Sequence, residues 1–395
     1  MMMTREFRGE ALPLLGFGAM RLPVTNPEDS ATIDERAADK MIRYAWEQGV
    51  RYFDTAYTYH DGMSERVLGL LLQQFPRDSY AIATKYPGHM LHDAYDPKKT
   101  FEEQLQKCGV SYFDYYLLHN ISEKSLATYM DPRWGIMDYF REQKKNGRIR
   151  HFGFSAHGEI PNLREFLDVY GEDMEFCQLQ LNYLDWTLQD AKEKYELMTE
   201  RDIDVWVMEP VRGGKLAALS EANEQRLKAL RPEESIAAWA FRWVQTLPNV
   251  KMVLSGMSNM EQVQDNVKTF SGGKPLTEEE AALLLTIAEE MKDDIPCTAC
   301  RYCCPACPQE LDIPLLLGLY NEMRVELSVN LGVRVSVLEE GKKPMDCIAC
   351  GACSALCPQS IDIPAAMSKM GELYGKIPAW EDICRMRDEA IRRNS

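Results

Sequence analysis

Two cysteine runs carry the densest chemistry of this 395-residue chain. The first is Cys297, Cys300, Cys303 and Cys307, closed by Pro308; the second is Cys347, Cys350, Cys353 and Cys357, closed by Pro358. Both follow the bacterial [4Fe–4S] spacing, in which three close cysteines hold one cluster and the fourth ligates the other. Crossed ligation assigns Cys297, Cys300, Cys303 and Cys357 to one cluster, and Cys347, Cys350, Cys353 and Cys307 to its twin. Matching tails, PQELDIP and PQSIDIP, make the pair an internal duplication. Structural zinc is the competing reading, but zinc sites pair C-x2-C knuckles across a longer gap and need neither the third cysteine nor the proline. Two clusters are therefore expected, with about eight iron and eight sulfide per chain. Cys304 breaks the spacing and, with Cys108, Cys177 and Cys384, is read as a non-ligand.

A second constellation lies upstream. Asp54 ends one apolar run and Tyr59 follows in DTAYTYHDGMSE; Lys85 closes AIATKYP, and His119 closes DYYLLHN. Each alone has a structural explanation, such as a helix cap or a satisfied edge residue. Together, at consecutive strand ends, they suit proton donation to a carbonyl oxygen. A free phenol titrates near pH ~10, too high for an efficient acid at neutrality. An ammonium beside it is expected to lower that value, and an aspartate to hold the ammonium charged. The histidine is expected to orient the substrate oxygen. Such a group lacks a reductant, so a hydride donor is implied.

These residues need a scaffold that brings strand ends together. Apolar runs at Leu14–Gly18, Arg51–Thr55, Tyr80–Lys85, Phe113–His119, Arg150–Ser155, Phe176–Asn182, Val205–Glu209 and Lys251–Gly256 alternate with amphipathic stretches such as ADKMIRYAWEQG and ESIAAWAFRWVQ. That alternation predicts a parallel sheet with helical crossovers. About eight units favour a closed (β/α)8 TIM barrel over residues 1–275, with an open doubly wound sheet as the alternative. SGGKP reads as a linker. Residues 276–395 then form a linker helix and a small, mostly α-helical ferredoxin-like domain.

Composition narrows the partners. The net charge of −16 repels nucleic acid and anionic membrane surfaces. The start, MMMTREFRGEALP, has no apolar signal core, and no run is long enough for a bilayer span, so a cytoplasmic protein is expected. Ten of the twelve cysteines lie from Cys297 onward, as metal binding rather than a secreted disulfide framework would place them.

The DTAxxY, ATK and DYYLLH spacing, with GFSAH, QLQLN, MEPVRGGKL and SGMSNMEQVQDN following, resembles the aldo/keto reductase family from about residue 12 to 270. The whole chain resembles the branch with a C-terminal helical dicluster 4Fe-4S ferredoxin domain. The resemblance implies Tyr59 as general acid, tuned by Lys85 and Asp54, with His119 orienting the carbonyl. It also implies NAD(P) extended across the barrel mouth, without a Rossmann fold. Implied cofactor contacts are Gly18, Ala19 and Met20 in the first loop, Ser155 and Gln178 at the carboxamide, and Met208 where an aromatic usually stacks. Glu209, Pro210, Gly213, Gly214 and Lys215 would lie along the pyrophosphate. Ser255, Gly256, Met257, Gln262, Asp265 and Asn266 would lie toward the adenosine. His157 stands in for an asparagine usual at Ala156. Gly256 and Gln262 replace the usual 2′-phosphate cations, which tips the expectation toward NADH.

The expected activity is hydride transfer between a nicotinamide and a small carbonyl or alcohol substrate, coupled to or regulated by the clusters. A hydride carries two electrons and a cluster passes one, so an external ferredoxin or flavoprotein is a candidate partner. The alternative is an electron-transfer or redox-sensing module whose barrel binds nicotinamide, or docks a partner, without reducing a carbonyl.

Overall fold

The computed structural model describes residues 1–292, 295, 297 and 299–394. The chain divides into two units: residues Met1–Leu285 together with the segment from Arg387 on, and residues Thr286–Met386.

In the first unit an antiparallel hairpin of β1 (Thr4–Phe7) and β2 (Glu10–Pro13) precedes the barrel. Arg8 and Gly9 between them both have positive φ, as a two-residue hairpin turn requires. The strands β3 (Leu15–Gly18), β4 (Tyr52–Asp54), β5 (Ala81–Tyr86), β6 (Phe113–Ile121), β7 (Ile149–Ala156), β8 (Phe176–Gln180), β9 (Asp204–Met208) and β10 (Val250–Gly256) close into one parallel barrel. The β10–β3 pairing completes the circle. Barrel strands are covered on both faces, so they read as apolar runs rather than alternations; β6 is buried at its first six positions. The hairpin was not visible in the sequence. It matters because Phe7 is buried beneath the barrel, its ring centroid 4.8 Å from that of Trp206 and 5.0 Å from that of His151. The barrel end opposite the C-terminal ends of the strands is thereby sealed.

The crossover helices follow from spacing and caps. Helix Glu35–Glu47 buries Ala38, Met41, Ile42 and Ala45 on one face, and Asp34 caps it by accepting the Ala37 N–H. Burying a side chain the size of Met41 or Ile42 contributes roughly 1.5–3 kcal/mol. Helix Pro97–Cys108 starts with proline after the capping Asp96 and stops at Gly109, whose φ of 64° reverses the chain.

The second unit is helical, with helices Ile313–Val325, Val329–Ser336 and Ile363–Tyr374 around Leu316, Leu317, Met323, Leu331, Val335, Met367 and Met370. Each cysteine run leads into a helix capped by an aspartate: Asp312 accepts the Leu315 N–H and Asp362 the Ala365 N–H. Among the described residues, no helix is long and apolar enough to cross a membrane.

Candidate active site and cluster-binding loops

The strand ends deliver the four expected residues to one place. The buried Lys85 Nζ donates to Asp54 Oδ1 at 2.6 Å, to the Thr55 carbonyl at 2.7 Å and to the Tyr59 hydroxyl at 3.3 Å. Gln178 Nε2 donates to the other Asp54 oxygen at 2.7 Å, so both carboxylate oxygens are engaged before any ligand arrives. The His119 ring stands edge-on to Tyr59 at 6.0 Å between centroids. Tyr59 is carried on a loop in which His60, Asp61 and Gly62 all have positive φ. Left-handed backbone costs about 1–2 kcal/mol per non-glycine residue, less for Asp and its like. His60 holds the loop there, accepting the Leu22 N–H at 3.1 Å and lying 2.7 Å from the Ser30 carbonyl.

The charges sort themselves by burial. Burial alone would lower the Lys85 ammonium, but Asp54 and Tyr59 outweigh it and keep it above its ordinary range. Tyr59 corrects the sequence expectation: burial pushes its phenol up, and Lys85 offsets only part of that rise. The phenol is therefore protonated at neutral pH, the state in which it can give a proton. Burial, with His89 and Lys85 nearby, holds His119 well below its usual range and so neutral.

His89 was missed in the sequence. It is buried in the loop after β5, its ring centroid 4.3 Å from that of His119. Its only signal was its place four residues past Lys85. Nearby aromatics have other partners: Trp186 packs against Trp243 and Tyr195, and the Tyr57 ring lies against Lys107 Nζ.

The expected cofactor residues rim the same mouth. Ser155 and Gln178 are register partners on β7 and β8, and Gly18 pairs with Asp54 on one side and Gly256 on the other. Ser155 Oγ accepts the Asn120 N–H at 2.8 Å. Met208 and Glu209 end β9 half-buried and Pro210 is buried, while Ala19 is buried and Met20 exposed at the end of β3. Gly213 and Gly214 are exposed with φ of 63° and 101°, and Glu209 accepts the Gly213 N–H. Lys215 is half-buried beside them, and Met257 is buried. Asn266 donates to Ser255 Oγ at 2.8 Å, Gln262 accepts the Ser258 N–H at 2.7 Å, and Asp265 accepts the Ser235 hydroxyl at 2.6 Å.

Arg21 was not anticipated here. Its side chain runs along Gly256, where an added methyl group would sit 3.3 Å from its Cγ, and reaches within 3.9 Å of Glu209. Exposed glycine backbone, a cation and buried amides fit an extended nicotinamide dinucleotide.

In the second unit the duplication is structural. Equivalent thiols share burial in both runs: Cys303 and Cys353 are buried, Cys300 and Cys350 exposed, and the others intermediate. Backbone with positive φ recurs at Ala299 and Ala349, Arg301 and Gly351, and Glu310 and Ser360. One small cavity is lined by Cys307, Cys347, Cys350 and Cys353. Another is lined by Cys297, Cys300, Cys303 and Cys357. Each therefore takes three thiols from one run and one from the other. Four soft sulfur donors around a largely apolar cavity, with Gln309 lining one and Arg301 and Gln359 the other, suit a [4Fe–4S] cluster. Cys108, Cys177 and Cys384 are buried, and none of them, nor Cys304, lines either cavity.

Comparison with known proteins agrees with this geometry. The aldo/keto reductase family profile matches residues 14–289, and the 4Fe-4S dicluster domain profile matches residues 296–361. The NADH-specific methylglyoxal reductase of Escherichia coli is 25% identical over 309 residues, 67% of this chain and 92% of that protein. The uncharacterized oxidoreductase YqkF of Bacillus subtilis is 26% identical over 302 residues, covering 68% and 90%. The solved holo form of aldo-keto reductase AKR11C1 from Bacillus halodurans superposes with a TM-score of 0.58 at 26% identity, covering 73% of this chain and 96% of that one. The chain is thus an oxidoreductase that belongs to the aldo/keto reductase family and carries a C-terminal 4Fe-4S dicluster domain.

Proposed function

We propose that the barrel reduces a small-molecule carbonyl, or oxidises the corresponding alcohol, with a nicotinamide dinucleotide as hydride carrier. The observation that carries this reading is Lys85 Nζ held between Asp54 and the Tyr59 hydroxyl at 2.6 and 3.3 Å. Bound nicotinamide supplies the hydride. Tyr59 gives its proton to the carbonyl oxygen, and Lys85 stabilises the phenolate left behind. Asp54, fixed by Gln178, keeps Lys85 charged, and neutral His119 hydrogen-bonds the substrate oxygen. Ser155, Gln178, Met208, the Glu209–Lys215 loop, the Gly18–Met20 turn and the Ser255–Met257 turn with Gln262, Asp265 and Asn266 hold the dinucleotide.

NADH is the preferred form, because Gly256 and Gln262 are uncharged where a 2′-phosphate would need a cation, and Arg21 beside Gly256 reaches toward Glu209. The specificity named for the Escherichia coli relative points the same way.

The two thiol quartets would hold two [4Fe–4S] clusters, which would supply one-electron transfer. Passing a hydride's two electrons onward takes both clusters, or an external ferredoxin or flavoprotein. A reducing, cytoplasmic setting would keep the eight thiols of the two runs available for iron. Anaerobic protein given NADH and a test aldehyde should consume the two in equal amounts. NADH oxidation that leaves the aldehyde intact would favour a pure electron-transfer role.

A further inference from the structure

The end of the chain returns to the catalytic loops. Asp388 Oδ2 lies 3.4 Å from His92 Nδ1 in the loop after β5. Ile391 packs on Gly62, where an added methyl group would sit 3.2 Å from its Cγ1. Asn394 Nδ2 donates to the Asp61 carbonyl at 3.3 Å. Asp61 and Gly62 lie two and three residues past Tyr59, and His92 shares a loop with His89, which touches His119. Residues 387–394 therefore wall the mouth beside the proton donor.

Arg387, Ile391 and Asn394 fall at spacings of four and three, on one helix face. With Ile391 and Asn394 seated on the Tyr59 loop, that face turns Arg387 toward the mouth. Arg387 is half-buried, and its charge is felt at both His89 and His119. It forms no ion pair with a described carboxylate, since Asp388 beside it turns to His92. The other buried cation here, Lys85, is already paired with Asp54. A half-buried guanidinium with no counter-ion has lost hydration that an anion would restore. In a chain of net charge −16, such a local cation is also what an anionic ligand needs to dock.

We propose that Arg387 binds an anionic group of the substrate, so that the barrel acts on carbonyl compounds carrying a carboxylate or a phosphate. This deepens the carbonyl-reduction reading and rests on it. The test compares 4-carboxybenzaldehyde, 4-formylphenyl phosphate and the neutral methyl 4-formylbenzoate on the full holoprotein. A charge-assisted bond predicts that Arg387→Gln lowers the kcat/KM ratio of an anionic aldehyde to the ester by roughly 10- to 100-fold. Arg387→Lys should restore part of the ratio, and Arg387→Glu should invert it. The larger ratio between the two anionic aldehydes identifies carboxylate or phosphate as the group bound. In parallel, 4-(hydroxymethyl)benzoate binding is followed by tryptophan fluorescence, which needs no turnover. Arg387-dependent binding without reduction of any aldehyde would refute carbonyl reduction and leave the anion site standing. Ratios and binding unchanged in all three variants would overturn the anion site.

Discussion

Asp54, Tyr59, Lys85 and His119 reach one point from three successive strand ends, whereas Cys347, Cys350 and Cys353 ring their cavity from a single loop. The first arrangement exists only once the barrel has closed. The second is local, and the chain builds it twice, fifty residues apart. The two sites also differ in how they are satisfied without a ligand. In the barrel, Lys85, Asp54, Tyr59 and Gln178 bond one another, so the geometry of the proposed site is set in advance. In the second unit the thiols ring cavities among apolar side chains, where a bound metal group would be what joins them. Preorganised hydrogen bonding marks one site and dependence on a bound group marks the other.

That contrast can be broken most visibly by removing iron. Chelation should unfold much of residues 297–386 and leave the barrel folded, as hydrogen exchange would report; equal loss of protection in both units would end the comparison. Crossed ligation sharpens it, since Cys357→Ser should cost the cluster shared with Cys297, Cys300 and Cys303, halving iron while the other cluster's EPR signal persists. Next in size is Lys85→Met, which leaves Asp54 buried without its counter-charge. Breaking a buried pair this way costs about 3–5 kcal/mol, seen as a lower urea midpoint for the barrel.

Acid sensitivity should follow from the histidines. Burial, with Arg387, His157 and His92 adding to it, holds His89 at about 3; burial holds His157 at about 4, and His119 is also well below its usual range. Unfolded, each binds a proton below about pH 6.5, while the folded chain binds none until the pH falls much further. Stability therefore rises with pH between about 4 and 6.5, by about 1.4 kcal/mol per pH unit for each histidine. His89→Asn should remove one such increment from the slope of unfolding free energy against pH. The smallest expected effect is cofactor preference. NADH should outperform NADPH by about tenfold in kcat/KM, or about 1.4 kcal/mol, and the reverse order would show that Arg21 serves a 2′-phosphate.

Much of this was legible in the sequence because the signals were local. Strand runs such as Phe113–Ile121 are apolar on both faces, and the cysteine spacing encodes its own ligand pattern. The hairpin of β1 and β2 was hidden because each strand has only four residues and its Arg8–Gly9 turn is not a typical signal. Arg21 against Gly256, His89 against His119 and Ile391 against Gly62 are contacts across long stretches of chain, which no local pattern records. The direction of the Tyr59 shift depended on how deeply burial outweighs one lysine, which spacing does not reveal.

The most direct measurement is Tyr59→Phe assayed for aldehyde reduction and for iron and sulfide in the same anaerobic sample. Loss of kcat by roughly 10²–10⁴-fold, with iron and sulfide unchanged, is the expected result. Undiminished aldehyde reduction would contradict the assignment of Tyr59 as the proton donor, and with it the catalytic role given to the barrel mouth.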